Sequence, residues 1–224
     1  MKTALQVTAR SVLSFVLFAL ALFWPAGTFN YWQAWVFLGL FITLSVVYTV
    51  YVGLTNPAVL RRRMNAGPQY ESRLVQKIVI VGVVLAFAAL LVVSALDHRF
   101  GWSNVPIPVV VIGNVLVAVG LGLAMLVVVQ NNYAAANITV ESDQAVVSTG
   151  LYGLVRHPMY FGALIMLIGV PLALGSFWAV LVDVLYVVLF AVRIFDEERA
   201  LTEELTGYRE YTEKVHSRLV PGFW

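Results

Sequence analysis

Apolar residues run almost unbroken over residues 31–54 and 77–96, and over 105–130 apart from Asn114. A bilayer-crossing helix needs about 20 such residues, so each run predicts a transmembrane helix. An earlier segment, 11–29, is interrupted by Pro25 and Gly27, which shortens its apolar core. The stretch 159–194 is too long for one span at about 1.5 Å per residue. It breaks at Gly175 and Ser176, which predicts a tight hairpin of helices over 158–175 and 176–195. The total is six spans. Beyond them Leu201, Leu205, Tyr208, Tyr211, Val215 and Leu219 step by three or four, the spacing of an amphipathic helix lying on the membrane face or capping a site. The expected fold is all-α: a polytopic membrane helical bundle with a C-terminal hairpin and an amphipathic tail helix. It is read as a single membrane domain, 1–224, with N-terminal spans in 1–130.

Composition agrees with that reading. Of 224 residues 61% are hydrophobic and 12% charged, against about 45–50% and 25% in soluble domains. A water-soluble enzyme and a disordered chain are excluded. A formal charge of +2 implies no polyanionic partner, so no nucleic acid. The absence of cysteine excludes disulfides, thiolate chemistry and Cys-ligated metals. Charge also orients the spans. With the N-terminus inside, every Lys and Arg of the 14 except Arg99 lies on the cytoplasmic side, and both termini are expected there. Lys2 and Arg10 ahead of an apolar run could mark a cleaved signal peptide. No A-x-A site follows Trp24, and the expectation is a retained first helix.

The loops expected outside are short, whereas 55–76, 131–157 and 196–224 face the cytoplasm and must hold any polar site of size. Asp183, alone inside the last expected span, is about ten residues from Arg193, roughly 15 Å along a helix. It reads as a structural carboxyl, and Asn114 as interhelical glue. His98 and His216 stand apart from any ligand cluster, so no metal site is expected. Arg61, Arg62 and Arg63 read as a topology anchor. Ala118 with Gly122, and Gly120 with Ala124, suit close helix packing.

Two stretches carry candidate chemistry. The first runs from Gln144 to Gly162 and contains Gly150, Tyr152 and the run Arg156-His157-Pro158-Met159-Tyr160. Pro158 suits the first turn of a helix, and His157 before it is held out of the helix. Met159, Tyr160 and Phe161 then present backbone N–H groups able to receive an anion. Gly162 permits close approach of another group. In the second stretch Arg193 and Glu197 lie at i and i+4, on one side of one helix if the last span continues through Asp196, Glu197 and Glu198. Taken singly, these are an ordinary helix start and a solvated ion pair.

Together they form V-x-x-G-x-Y-x-x-x-R-H-P-x-Y-x-G, a membrane hairpin, then E-E-x-x-L, Y-x-x-Y and a terminal P-G. This pattern resembles the isoprenylcysteine carboxyl methyltransferase family, which forms a wider group with the phospholipid N-methyltransferases. The resemblance covers about 137–224. It implies S-adenosyl-L-methionine-dependent methyl transfer at the cytoplasmic face, with a lipid or lipid-like acceptor. It also implies that Val146, Val147, Tyr152, His157, Pro158, Met159, Tyr160 and Glu197 contact the cofactor, and Gln144 and Ala145 just before them join this set. Arg193 matches the position that meets the acceptor's polar group.

The residues are compatible with this chemistry, which needs in-line positioning and no metal. An ionised carboxyl acceptor would need only Arg193 to hold it. An amine acceptor would need a base, for which Glu198 is nearest. Carboxyl methylation leads, with phospholipid amine methylation as the alternative. A membrane NADPH-dependent reductase of sterol-reductase type is a second class, disfavoured by the intact R-H-P-x-Y-x-G and E-E. A non-enzymatic scaffold or transporter subunit would leave both stretches without a purpose.

Overall fold

The computed structural model describes residues 2–64, 67–133 and 144–224; positions 137–143 of the region of resemblance lie outside it. Among the described residues there are eight α-helices and no strand: α1 (Lys2–Ala26), α2 (Trp32–Thr55), α3 (Pro57–Met64), α4 (Leu74–Phe100), α5 (Ile107–Gln130), α6 (Pro158–Ala173), α7 (Val180–Glu204) and α8 (Tyr208–Lys214). Four of them, α1, α2, α4 and α5, are long and apolar enough to cross a membrane.

The expected hairpin forms as α6 and α7. These two helices are not among the four, and they are of different character. Helix α6 is apolar but has 16 residues, about 24 Å by helix rise against a core of about 30 Å. Helix α7 has 25 residues, and Arg193, Asp196, Glu197 and Glu198 occupy its last part. It does run through the acids without a break, which puts Arg193 and Glu197 on one helix.

The α6–α7 turn is anchored to the rest of the bundle. Gly175 takes φ +73°, and buried Ser176 donates from Oγ to Asp97 Oδ2 at 2.5 Å. The other Asp97 oxygen accepts from the Ser103 backbone N–H at 2.6 Å. Tyr31 Oη, at the start of α2, donates to the Leu174 carbonyl at 2.6 Å. A buried carboxylate with these donors is a satisfied clamp rather than a site.

Helices α5 and α6 meet backbone to backbone along a seam of glycines seven residues apart. A Cβ on Gly120 would stand 2.5 Å from the Gly162 carbonyl oxygen, and one on Gly169 would stand 2.6 Å from the Gly113 carbonyl oxygen. Of the two pairs expected at four-residue spacing, Gly120 and Ala124 lie at this contact, with Ala124 N 3.2 Å from a Cβ on Gly162, whereas Gly122 faces open space. The group approaching Gly162 is α5 itself. Asn114, expected to join helices, donates instead to Val110 one turn back in its own helix, at 2.9 Å. Asp183 is buried, and neither carboxyl oxygen meets a donor among the described residues.

The single tail helix is also corrected. Helix α7 ends at Glu204, Gly207 takes φ +84°, and α8 is a separate piece of seven residues. A left-handed glycine terminates a helix because it costs no Cβ clash. The predicted apolar face survives the break: Leu205, Tyr208, Tyr211 and Val215 bury together against Val146 and Leu201.

Candidate active site

The cavity lies where α5 ends, α6 begins and α7 runs out, roofed by α8 and by the segment from Gln144 to Tyr152. All ten residues for which the family resemblance implies cofactor contact line it: Gln144, Ala145, Val146, Val147, Tyr152, His157, Pro158, Met159, Tyr160 and Glu197. Asn131, Tyr133, Arg156, Leu201, Leu205, Tyr208 and Tyr211 complete the lining. Glu198 and Arg193 do not line it.

Pro158 occupies the first turn of α6 and His157 caps it at φ −123°. The backbone N–H groups of Arg156 and His157 are taken by the carbonyls of Ser217 and Arg218, at 2.9 and 2.8 Å. Phe161 N–H is also taken, by the His157 carbonyl, which reduces the three expected free donors to two. Met159 and Tyr160 have no backbone acceptor among the described residues, so their N–H groups remain for an anion at the dipole end of α6.

Tyr160 joins this wall to α7. Its Oη donates to Glu197 Oε2 at 2.6 Å and accepts from Arg193 Nε at 2.8 Å. Arg193 in turn donates from Nη1 to Gln76 Oε1 at 3.0 Å and from Nη2 to Glu71 Oε1 at 3.2 Å. The Glu71 side chain is 1% exposed. Arg193, expected to meet an acceptor's polar group, thus pairs with a carboxylate of this chain, on the segment that leads into α4. Gln76 Nε2 also donates to Asp196 Oδ2 at 2.5 Å, and Arg73 pairs with Asp196 Oδ1 at 3.4 Å.

Glu198, expected as a base for an amine acceptor, is held as tightly. Oε1 accepts from Arg156 Nε at 2.7 Å and lies 3.3 Å from His157 Nε2, while Oε2 accepts from Arg218 Nε at 2.8 Å. A carboxylate only accepts, so His157 Nε2 carries the hydrogen in that contact. Burial pushes the Glu198 carboxyl up, but the hydrogen bonds from His157 and Arg218 and the pull of His157 and Arg156 outweigh it and hold it down to about 2. A group so acidic is a poor proton acceptor near neutrality. It ties the start of α6 to the C-terminal segment instead.

The roof is fastened by phenols. Tyr211 Oη donates to the Tyr152 carbonyl at 2.7 Å, and Asn131 Nδ2 donates to Tyr152 Oη at 3.1 Å. Burial pushes the Tyr152 phenol up to about 12 despite the Asn131 hydrogen bond, and it raises Tyr208 and Tyr211 as well. All three stay protonated at neutral pH and face the cavity as apolar rings with neutral hydroxyls.

Sequence reasoning missed Glu71, Gln76, Arg156 and Arg218. The Arg-His-Pro run was a signal for Arg156; nothing local marked the others. Among the described residues no cluster of His, Asp and Glu could hold a metal ion.

Residues 108–207 match the family model described as phospholipid methyltransferase. The matched family belongs to the isoprenylcysteine and phospholipid methyltransferase group that the motif resembles. The match lends no support to the reductase alternative. No curated protein matches the chain.

Proposed function

We propose that this protein is an integral membrane methyltransferase that takes its methyl group from S-adenosyl-L-methionine and delivers it to a lipid-type acceptor at the cytoplasmic face. The observation that carries the reading is the convergence of residues 144–160 with Glu197 on one cavity at the end of the bundle. The donor set suits such a cofactor. The free N–H groups of Met159 and Tyr160 can receive its carboxylate, and Glu197, with Oε2 turned to Tyr160, can accept through Oε1 from its amino or ribose groups. Tyr152, Tyr208 and Tyr211 offer ring faces to a purine or a sulfonium.

When bound, the cofactor would supply an activated methyl group. The chain's part is to hold donor and acceptor in line and to keep water out, which can supply much of the rate. Tyr160 and Arg193 fix the direction of Glu197, and Glu198 fixes the start of α6 through Arg156 and His157. We assign Arg193 to this positioning and Glu198 to a structural clamp.

A carboxyl acceptor fits this site best, because it is already ionised and needs no base, and Glu198 is held down to about 2. Amine methylation is the second reading, favoured by the phospholipid methyltransferase description of the matching family. Membranes containing the protein, given cofactor labelled in the methyl group, should transfer label into extractable lipid. Alkali releases the label as methanol from a methyl ester and leaves an N-methyl group in place. Absence of label in any lipid fraction, with labelled cofactor bound, would overturn the proposal.

A further inference from the structure

The first two helices form a wedge that no part of the methyl-transfer reading uses. They meet at one end, where the rings of Phe23 and Trp35 pack in a tilted arrangement with centres 4.6 Å apart. Phe18 touches Phe41 at 5.5 Å, and below that the helices part. The opening holds a cavity of about 1320 Å³ between α1, α2 and α3, walled by side chains such as Phe15, Val46 and Val50. A small-molecule pocket is usually about 300–1,000 Å³, so this space suits chains rather than a compact ligand.

The wide end is chemically distinct. Arg10 and Arg61 line it, and Arg10 Nη1 donates to the Met64 carbonyl at 2.6 Å, which brings it to the end of α3. Arg61 is exposed and makes no hydrogen bond or ion pair among the described residues. The other polar lining residues are hydroxyls, Thr8, Ser11, Ser14, Ser45 and Thr49, and no carboxylate is present. Two positive charges with no acid among the described lining residues complement an anion and offer nothing to an ammonium group.

We infer that this wedge is a binding site for one anionic phospholipid, with its phosphate between Arg10 and Arg61 and its acyl chains running toward Phe18 and Phe41. Basic residues at an anionic membrane surface contribute about fivefold each in affinity, which sets the selectivity expected here. The site is separate from the methyl-transfer cavity. The two share no lining residue, and Leu60 of the wedge and Met159 of the cavity pack against one buried cluster of Val52, Val59 and Val128.

The test is native mass spectrometry of the full chain, stripped of lipid in neutral detergent, with dioleoyl phosphatidylglycerol and dioleoyl phosphatidylcholine. The wild type should retain phosphatidylglycerol in preference. Arg61→Gln should weaken that binding about fivefold and Arg10→Gln with Arg61→Gln roughly thirtyfold, with phosphatidylcholine unchanged. Ser14→Trp, which fills the wedge without touching the charges, should reduce retention of both lipids. Cofactor affinity of the double variant should equal that of the wild type. Equal binding of the two lipids by the wild type, an undiminished preference in the double variant, or a dimer that buries the wedge would each overturn the inference.

Discussion

The Arg193 guanidinium meets the Glu71 carboxylate at 3.2 Å, across 122 positions of chain. Through Tyr160 the same guanidinium reaches Glu197 on the cavity wall. Removing one partner of a buried pair leaves the other charge uncompensated, at about 3–5 kcal/mol. Glu71→Ala should therefore lower the melting temperature in detergent markedly. Glu71→Gln, which keeps a hydrogen-bond acceptor, should lower it less. Equal melting of Glu71→Ala and wild type would show that the pair is not formed in the protein.

Arg193→Lys keeps the charge but cannot serve Tyr160, Gln76 and Glu71 together. It should lose both stability and methyl transfer. A snorkelling anchor would tolerate lysine, so wild-type turnover in Arg193→Lys removes it from the positioning network.

Glu197→Gln tests the cofactor reading directly. Loss of one charge-assisted hydrogen bond is worth about 1.5–3 kcal/mol, or roughly ten- to a hundredfold in affinity. Calorimetry with S-adenosyl-L-methionine on the folded variant should show that loss. Unchanged affinity would place the cofactor elsewhere.

Acid should act through Glu198. Its carboxyl binds a proton near 2 in the folded chain and near 4.5 without its partners, so protons favour the unfolded chain. The stabilisation is complete above about pH 4.5 and is lost as the pH falls toward 2, on the order of 3 kcal/mol in all. Glu198→Gln should flatten the melting-temperature profile across that window while lowering its neutral plateau. A profile as steep as the wild type's would assign the acid sensitivity to other groups.

Six spans with both termini inside remain open to labelling. Thr28→Cys and Asn104→Cys should react with an impermeant outside reagent, and His216→Cys should not. Reaction at 216, or protection of both 28 and 104, would reverse or break that topology.

What was legible in the sequence was what is local in it. Residues 144–160 form one continuous wall, and Glu197 follows Arg193 by one helical turn, so period and motif reached them. The hairpin was legible because Gly175 and Ser176 interrupt an apolar run. Glu71, Gln76 and Arg218 reach the network from segments far away in the chain, and no spacing connects them to Arg193 or Glu198. The tail was misread because its apolar face is continuous in space across Gly207, where the helix is not. The seam of α5 and α6 was read only in part: Gly120 and Ala124 were reached at four-residue spacing, but Gly113 and Gly169, seven residues from Gly120 and Gly162, were not.

That seam has a mechanical consequence. Gly113 and Gly120 against Gly162 and Gly169 bring the two backbones into direct contact, flanked by Leu116, Leu123 and Met166, so a shift of α5 against α6 would drive backbone into backbone. Asn131 and Pro158, one at the end of each helix, are thus two points on a single rigid body. The opposite wall pairs the long α7 with the seven-residue α8, and the two meet at the left-handed Gly207. One jaw of the cavity is thus a backbone seam and the other a jointed strap, and any widening for a ligand costs least at the strap.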